Sequence, residues 1–196
     1  MTVTTYAGLQ TAIGDFLNRA DLTSVIPTFI QLAEADLGRR LRTWEMEARS
    51  TLTLDAEYID LPADWLETIR VDYNGQGSRR LLYVPPFEIA RRASETDEPK
   101  FFTHVGQRLR LWPAPSTGTA DLRYYQAIPA LADDNTSNWL LSRSPDAYLY
   151  GSLMHSAPYL QEDARLSAWG ALYADAVRAT QQASDRAKWT SGMRLT

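Results

Sequence analysis

The chain has 196 residues, a formal net charge of -4 and no cysteine. A chain of this length buries roughly 70% of its unfolded surface, and without cysteine it has neither disulfides nor thiolate metal sites. The negative charge is unlike the basic footprint of non-specific nucleic-acid binders, and no stretch has the pattern of a signal peptide or the apolar length of a membrane span. We therefore expect a soluble protein with no membrane partner.

Apolar residues at three- and four-residue steps predict two helices at the start of the chain. The first spans about Tyr6 to Leu17 and is expected to stop near Asn18 to Ala20. The second is expected to begin after Asp21, with Pro27 confined to its first turn. Its predicted apolar face contains Ile26, Phe29, Ala33, Leu37, Leu41 and Trp44.

After Ala48 the spacing changes from helical to alternating, which predicts six or seven strands. Three hairpins are expected, and the turn Asn74–Gly77 makes the second the strongest of them. The paired segments are 51–54 with 58–61, 69–73 with 80–84, and 101–105 with 108–112. A short helix opened by prolines at 85–86 and a further strand around 122–125 complete this region.

The last third of the chain is predicted to be helical. Ser144-Pro145-Asp146 is typical of a helix start, with a capping hydroxyl, a proline at the first position and a carboxylate at the positive end of the dipole. This helix is expected to run to about Ala157, and a final helix follows over 163–188. The segment 128–143 is long for a connection and is either a functional loop or a crossing over the core.

These elements predict the α+β class: a helical bundle formed by the N- and C-terminal helices, with a strand-rich antiparallel insertion in the middle. The expected boundaries are 1–48 for the N-terminal helices, 49–127 for the insertion, 128–189 for the C-terminal helices and 190–196 for a flexible tail.

No recognisable catalytic cluster accompanies this layout. His104 and His155 have no partner at metal-ligand spacing, and the phosphate-loop, dinucleotide and nucleophile-elbow motifs do not occur. Acidic pairs such as Asp133–Asp134 are ordinary in loops, whereas an acid catalyst needs burial beside apolar neighbours. We therefore expect no enzymatic activity, no cofactor and no metal.

Arginine supplies 18 of the 20 basic residues, and it is the better residue for interface ion pairs. Arg39, Arg40 and Arg42 end the second helix, where they either balance its dipole or pair between subunits. Strand parity places Arg70, Arg108, Arg110 and Arg123 on one sheet face, which either pairs with nearby carboxylates or binds phosphate. The aromatic residues Trp112, Tyr124, Tyr125 and Trp139 either form a stacking platform or pack in a core or interface.

Two groups of segments, one in each half of the chain, have distinctive packing patterns. The N-terminal segments are Asp21-Leu22, 26–34 (IPTFIQLAE) and 39–42 (RRLR). The later segments are Ile128-Pro129, 138–141 (NWLL), 145–151 (PDAYLYG) and 157–160 (APYL), followed by a long helix carrying Trp169 and Tyr173. Together these segments resemble the head-to-tail adaptor (connector) proteins of tailed bacteriophages. The resemblance extends over nearly the whole chain and consists of packing patterns without a chemical signature.

The resemblance implies a virion protein at the head–tail junction, assembled in the host cytoplasm. It would bind beneath the portal protein, commonly as a dodecameric ring, extend the DNA channel and offer a surface to tail or nozzle proteins. DNA would pass without sequence-specific binding. By the same analogy, Trp189, Met193, Arg194 and Leu195 would form a portal-docking arm that folds on its partner. Arg39, Arg40, Arg42, Arg70 and Arg123 are the candidates for intersubunit or surface pairs.

Two alternatives remain open from the residues alone. The first is a nucleic-acid-binding module that uses the arginine-bearing sheet face, with an affinity that falls steeply with salt. The second is a tail-associated carbohydrate-binding or hydrolytic module, which needs two buried carboxylates or an exposed row of aromatic residues in one groove.

Overall fold

The computed structural model describes residues 3–19, 21–75, 77–89, 98–115, 117–160 and 165–192, without the side chains of 158 and 189–192. The chain forms two compact units, one made of Met1–Glu45 with Ile128–Thr196 and the other of Met46–Ala127. Helices at both ends of the chain and sheets between them confirm the α+β class.

Long helices belong to the first unit, and the strands belong to the second. In chain order the elements are α1 (Tyr6–Leu17), α2 (Ile26–Arg40), a 3-10 turn (Trp44–Met46), β1 (Glu47–Thr53), β2 (Tyr58–Asp60), β3 (Trp65–Asn74), β4 (Ser78–Arg80), β5 (Leu82–Tyr83), α3 (Pro86–Ile89), β6 (Phe101–Val105), β7 (Arg108–Trp112), β8 (Thr119–Gln126), α4 (Trp139–Arg143), α5 (Pro145–His155), α6 (Ala157–Leu160) and α7 (Leu166–Gly192).

The first helix has the predicted length and local reasons for both of its ends. The Thr5 hydroxyl accepts a hydrogen bond of 3.1 Å from the backbone N–H of Gly8, which satisfies one of the free donors of the first turn. At the other end Asn18 adopts a left-handed conformation with φ 53, which asparagine tolerates better than most residues. The stop predicted near Asn18 is confirmed.

Helix α2 begins at Ile26, so the start predicted after Asp21 is wrong. The residues between them form a turn, and Pro27 falls in the first turn of the helix, where its missing N–H is harmless. The predicted apolar face is buried from Ile26 as far as Leu41. Trp44 does not belong to it, because the helix ends at Arg40 and the Trp44 side chain is 46% exposed in the 3-10 turn.

Helix α5 lies in the core of the first unit, between α2 and α7. Its Tyr148 is fully buried, and Gly151 leaves room for the ring of Tyr173. Helix α7 turns a buried face toward the unit, made of Trp169, Tyr173, Ala176, Thr180 and Ser184. It ends at Gly192, four residues beyond the predicted end, so residues 190–192 of the expected tail are helical.

Ser144 precedes α5 but does not cap it through its side chain, contrary to the prediction. Pro145 takes the first helical position and Asp146 lies in the first turn, as predicted. The Ser144 hydroxyl lies 2.9 Å from the hydroxyl of Thr180 on α7. Thr180 gives its own proton to the carbonyl of Ala176, so Ser144 is the donor of this bond.

The second unit contains two four-stranded sheets. The strand order is β1-β8-β3-β4 in the first sheet and β2-β7-β6-β5 in the second. All pairs are antiparallel except β5 with β6. Alternate residues of both sheets, including Val71, Leu122, Leu109 and Leu111, contribute to one buried cluster, as the two-residue period of a strand requires. In the first sheet Glu47 lies opposite Tyr125.

The hairpin predicted from 51–54 and 58–61 does not form. Strand β1 pairs with β8 and β2 pairs with β7, so the two segments belong to different sheets. The second hairpin is confirmed for β3 with β4, but residues 82–83 leave it and pair with β6 in the other sheet. The β6–β7 hairpin is confirmed in full, and the predicted short helix is found as Pro86–Ile89.

Candidate interaction surfaces

A buried carboxylate on α2 binds α7 and two arginines. Asp36 accepts hydrogen bonds of 2.8 Å from the Tyr173 hydroxyl, 2.7 Å from Arg40 and 3.2 Å from Arg39. Burial favours a higher pKa for Asp36, but the hydrogen bonds from Tyr173, Arg40 and Arg39 outweigh it and hold the pKa below its usual value. Both arginines are thus paired within their own helix.

Arg42 is used at the end of α2 as well. Its guanidinium donates to the carbonyl oxygens of Gly38 and Leu41, at 2.7 and 2.6 Å, where a cation balances the negative end of the helix dipole. The backbone of Arg42 exchanges two hydrogen bonds with the Gln181 side chain, and the N–H of Trp44 donates to the Ser184 hydroxyl at 2.9 Å. Side chains of α7 therefore hold the chain where it leaves α2.

A second polar network orders the long connection before α4. The Tyr148 hydroxyl accepts from the Asn138 amide at 2.7 Å and donates to Glu34 at 3.2 Å. Glu34 also accepts from the N–H of Leu131, and Asn138 caps α4 by accepting from the N–H of Leu141, both at 2.8 Å. Burial raises the pKa of Glu34, and the bonds from Leu131 and Tyr148 partly offset that rise. The segment 128–138 is thereby fixed to α2 and α5.

The predicted single arginine-bearing face does not exist. Arg70 and Arg123 lie in the first sheet, whereas Arg108 and Arg110 lie in the second. Within each sheet the arginines do point away from the apolar face, as the alternation of residues predicted. The alternation does not determine which strands pair with each other, however. Three of the four have carboxylate partners: Arg70 with Asp72 at 2.7 Å, Arg108 with Asp60 at 3.2 Å and Arg110 with Glu57 at 2.7 Å.

The aromatic residues proposed as a stacking platform are dispersed. Tyr124 is buried and its hydroxyl donates to Asp64 at 3.0 Å, whereas Tyr125 points to the opposite face of the same strand. Trp112 belongs to the other sheet, where Arg110 lies over its ring at 5.9 Å from the centroid. Trp139 belongs to the helical unit.

The proposed docking arm begins within α7. The backbone of Trp189 is helical, but its side chain lies outside the described part of the structure, as do Met193, Arg194 and Leu195 altogether. The described part of α7 is amphipathic. Opposite its buried face it presents small and charged residues, with the exposed ion pair of Asp175 and Arg178 and the half-exposed Leu172.

An exposed apolar patch in the second unit was not predicted. Leu82, Tyr83 and Phe87 are 59%, 56% and 66% exposed, at the edge strand β5 and in α3. Tyr83 packs edge-on against Phe102, with ring centroids 5.6 Å apart. The run LLYVPPF at 81–87 could have indicated this exposed patch from the sequence. Its two prolines interrupt the strand, so the strand cannot continue and bury the apolar residues.

Neither histidine has a metal-binding environment. Burial lowers the pKa of both His104 and His155, and in the described ranges no group of three or more acidic, histidine or cysteine side chains could hold a metal ion. Two concavities of about 510 and 690 Å³ lie beside Gly14 on α1 and beside the Gly106 turn. Glu34 and Asp36 line neither of them. None of the described helices is both long and apolar enough to cross a bilayer.

A family model described as SU10 adaptor protein matches residues 4–196. No curated protein matches the chain. The family match covers nearly the whole chain, including both units, and confirms the resemblance to phage head-to-tail adaptors that the sequence segments indicated.

Proposed function

The chain belongs to the SU10 adaptor protein family, and from this premise we propose that it docks as a ring beneath the portal protein of a tailed phage. There it extends the DNA channel and gives tail or nozzle proteins a surface on which to assemble. DNA passes through the ring without sequence-specific binding. The family implies a structural component of the virion, and the work of such a component is done by interfaces.

The observation that carries this proposal is the extent of the family match, which includes the helical unit, the strand unit and the C-terminal segment together. The described polar side chains agree with a structural role. The carboxylates of Glu34 and Asp36 accept hydrogen bonds that join α2 to α5, α7 and the segment before α4. They hold elements of the fold together.

We assign different contacts to the parts of the chain. The helices of 1–48 and 128–189 form the body of the ring, which we expect to be dodecameric, and 49–127 faces the tail proteins. Helix α7, at ~1.5 Å per residue, is about 40 Å long and presents its small and charged face to neighbouring copies. Residues 189–196 dock on the portal, with Trp189, Met193 and Leu195 as apolar anchors and Arg194 as a charged contact.

The part of the docking arm beyond Gly192 can be removed without shortening α7. A chain ending at Gly192 keeps all of α7 and lacks Met193, Arg194 and Leu195. We expect this truncation to abolish co-sedimentation with the portal protein of the same phage, while the melting temperature changes little. Full-length protein, seen by negative-stain microscopy, should add a ring to the portal. Retained binding by the truncated chain would refute a docking role for Met193, Arg194 and Leu195, and no binding by the full-length chain would refute the proposed function.

A further inference from the structure

Strand β1 is an open edge of the first sheet. It has seven residues, pairs with β8 on one side only and contains neither a proline nor a bulge. The N–H of Leu54 donates to the carbonyl of Gly118 at 3.0 Å and continues this ladder. Because inward and outward residues alternate along an antiparallel edge, the backbone groups of Thr51 and Thr53 point away from β8. No backbone partner for them is found among the described residues.

Strand β4 is the opposite edge of the same sheet. The N–H of Leu81 donates to the carbonyl of Val71 at 2.9 Å, just beyond the end of β4. By the same alternation, Ser78 and Arg80 turn their backbone groups outward, again without a partner in the part of the chain that the structure describes. All neighbouring strands of this sheet are antiparallel, so β1 and β4 run in opposite directions.

Two rows of directly opposed residues connect these edges across the sheet. The rows are Thr51, Asp121, Asp72, Arg80 and Thr53, Thr119, Asn74, Ser78. In a ring whose axis runs along the strands, each copy presents its β1 to the β4 of its neighbour in antiparallel orientation. Without a shift along the axis, Arg80 then faces Thr51 of the neighbour and Ser78 faces Thr53. The backbone groups of these residues point outward, so each facing pair exchanges two hydrogen bonds.

The side chains of the two edges agree with this register. Thr51, Thr53 and Ser78 are short and exposed, and Arg80 is exposed as well. A shift of two residues toward the start of β1 would place Arg80 directly opposite Arg49 of the neighbour, where like charges are unfavourable. The charge on the short strand β4 therefore favours one register, whereas an uncharged edge would tolerate several.

An exposed apolar patch lies next to the β4 edge. Leu81 alone separates β4 from β5, and β5 carries Leu82 and Tyr83, which are both more than half exposed. The two sheets share one buried cluster, so β4 and β5 lie on one side of the strand unit and β1 and β2 on the other. A neighbour seated on β4 brings its β2, with the partly exposed Tyr58, toward this patch. Burial of this apolar surface adds to the hydrogen bonds.

We propose that the β4 edge of the strand unit pairs with the β1 edge of a second copy, so that the first sheet continues from one copy to the next. The contact joins opposite sides of the unit, and such head-to-tail contacts close into rings. This inference rests on the proposed function, because it names a junction between neighbours of the ring in addition to the one assigned to α7. The contact is small, and a closed ring strengthens it through effective concentration.

Engineered disulfides test the register directly, because the chain contains no cysteine. One variant combines Thr53→Cys with Ser78→Cys, and the control combines Thr51→Cys with Ser78→Cys. Positions 53 and 78 of one copy are three strand spacings apart, about 14 Å, so a disulfide between them has to join two copies. After assembly, alone or on the portal protein, oxidation should link the copies of the first variant into a ladder. The control should link about tenfold less, because its diagonal positions lie beyond disulfide reach.

A proline at position 51 tests the hydrogen bonds. Thr51→Pro removes an N–H that points away from β8, and proline is tolerated at such edge positions. Thr51→Val is the matched control, since both variants lose the hydroxyl bond to Asp121 and only the proline variant loses the backbone donor. By sedimentation velocity, we expect Thr51→Pro to associate about tenfold more weakly than Thr51→Val, with a similar melting temperature.

The outcomes separate this junction from portal docking. Assemblies in which positions 53 and 78 link no better than the control pair would overturn the paired edges and leave portal docking standing. Equal association of Thr51→Pro and Thr51→Val would also overturn them, as would portal binding by copies that never contact each other. Disulfide-linked rings that do not bind the portal protein would refute only the docking.

Discussion

The Tyr173 hydroxyl donates a hydrogen bond of 2.8 Å to the carboxylate of Asp36, and both residues are buried. The bond joins α7 to α2, which are 137 residues apart in the sequence at this point. The same carboxylate also holds Arg39 and Arg40. One carboxylate on α2 therefore both fixes the C-terminal helix and pairs the two arginines at the end of α2.

Removing this hydroxyl should destabilise the helical unit. We expect Tyr173→Phe to lower the free energy of unfolding by about 1.5–3 kcal/mol, the usual value for a hydrogen bond to a charged group, because the ring still fills its space. Urea unfolding followed by circular dichroism measures the change. Tyr159→Phe is the control: that side chain is 56% exposed, and the loss there should stay within about 0.5 kcal/mol. Equal effects of the two variants would contradict the prediction.

The same carboxylate predicts a dependence of stability on acid. The pKa of Asp36 is below its ordinary 3.8 in the folded chain, so its stabilisation is fully present above that value and is lost as the pH falls through the folded pKa. Asp36→Asn should therefore cost stability at pH 7 and at pH 5 equally. The difference from the wild type should narrow below about pH 4. Urea titrations at pH 7, 5 and 3 test this, and a difference that is unchanged at pH 3 would exclude it.

Two glycines in helices should respond oppositely to alanine. A Cβ at Gly151 would lie 3.0 Å from the ring of Tyr173 and 3.2 Å from Ala33, so Gly151→Ala should destabilise the chain by about 1–3 kcal/mol through overpacking. A Cβ at Gly170 on α7 meets nothing within 4 Å. Gly170→Ala should then stabilise by up to about 1 kcal/mol, the difference in helix propensity. Thermal melts of the two variants provide the test. Stabilisation by both substitutions would contradict the close contact between Gly151 and the Tyr173 ring.

The bond from Ser144 to Thr180 can be separated from a helix-capping effect. Ser144→Ala should lower the free energy of unfolding by about 0.5–1.5 kcal/mol. Because this loss comes from the bond to Thr180, it should be largely absent in a chain that already carries Thr180→Val. A side-chain cap of α5 would instead give the same cost in both backgrounds. A double-mutant cycle with Ser144→Ala and Thr180→Val, measured by urea unfolding, distinguishes the two.

The sequence correctly predicted the elements that are determined by residues within or next to them. Helix α1 carries its own cap at Thr5 and its own left-handed stop at Asn18, and the β6–β7 hairpin has Gly106 with φ 63 in its turn. The class followed from the same signals, because the change from helical to alternating spacing after Ala48 marks the start of the strands.

Errors arose where distant partners decide the outcome. Segments 51–54 and 58–61 alternate like a hairpin, but β1 finds its partner in β8 and β2 finds its partner in β7. Ser144 looks like a cap until Thr180 takes its hydroxyl. The arginines of the strands had the right parity, yet parity alone cannot assign them to sheets. In the structure Arg123 on β8 lies opposite Arg49 on β1 and Arg70 on β3. This arrangement depends on the register of three strands that are far apart in the chain, and the pattern of residues within each strand does not determine that register.

The strand unit begins and ends on neighbouring strands, since Glu47 at the start of β1 lies opposite Tyr125 near the end of β8. Opposed Cα atoms in such a ladder are only about 5 Å apart. Recombination can therefore replace the segment between Glu47 and Tyr125 with a module of another size. The two connections to the helical unit stay the same short distance apart if the new module also begins and ends on neighbouring strands. A lineage of such proteins can therefore exchange the strand unit and retain the helical unit.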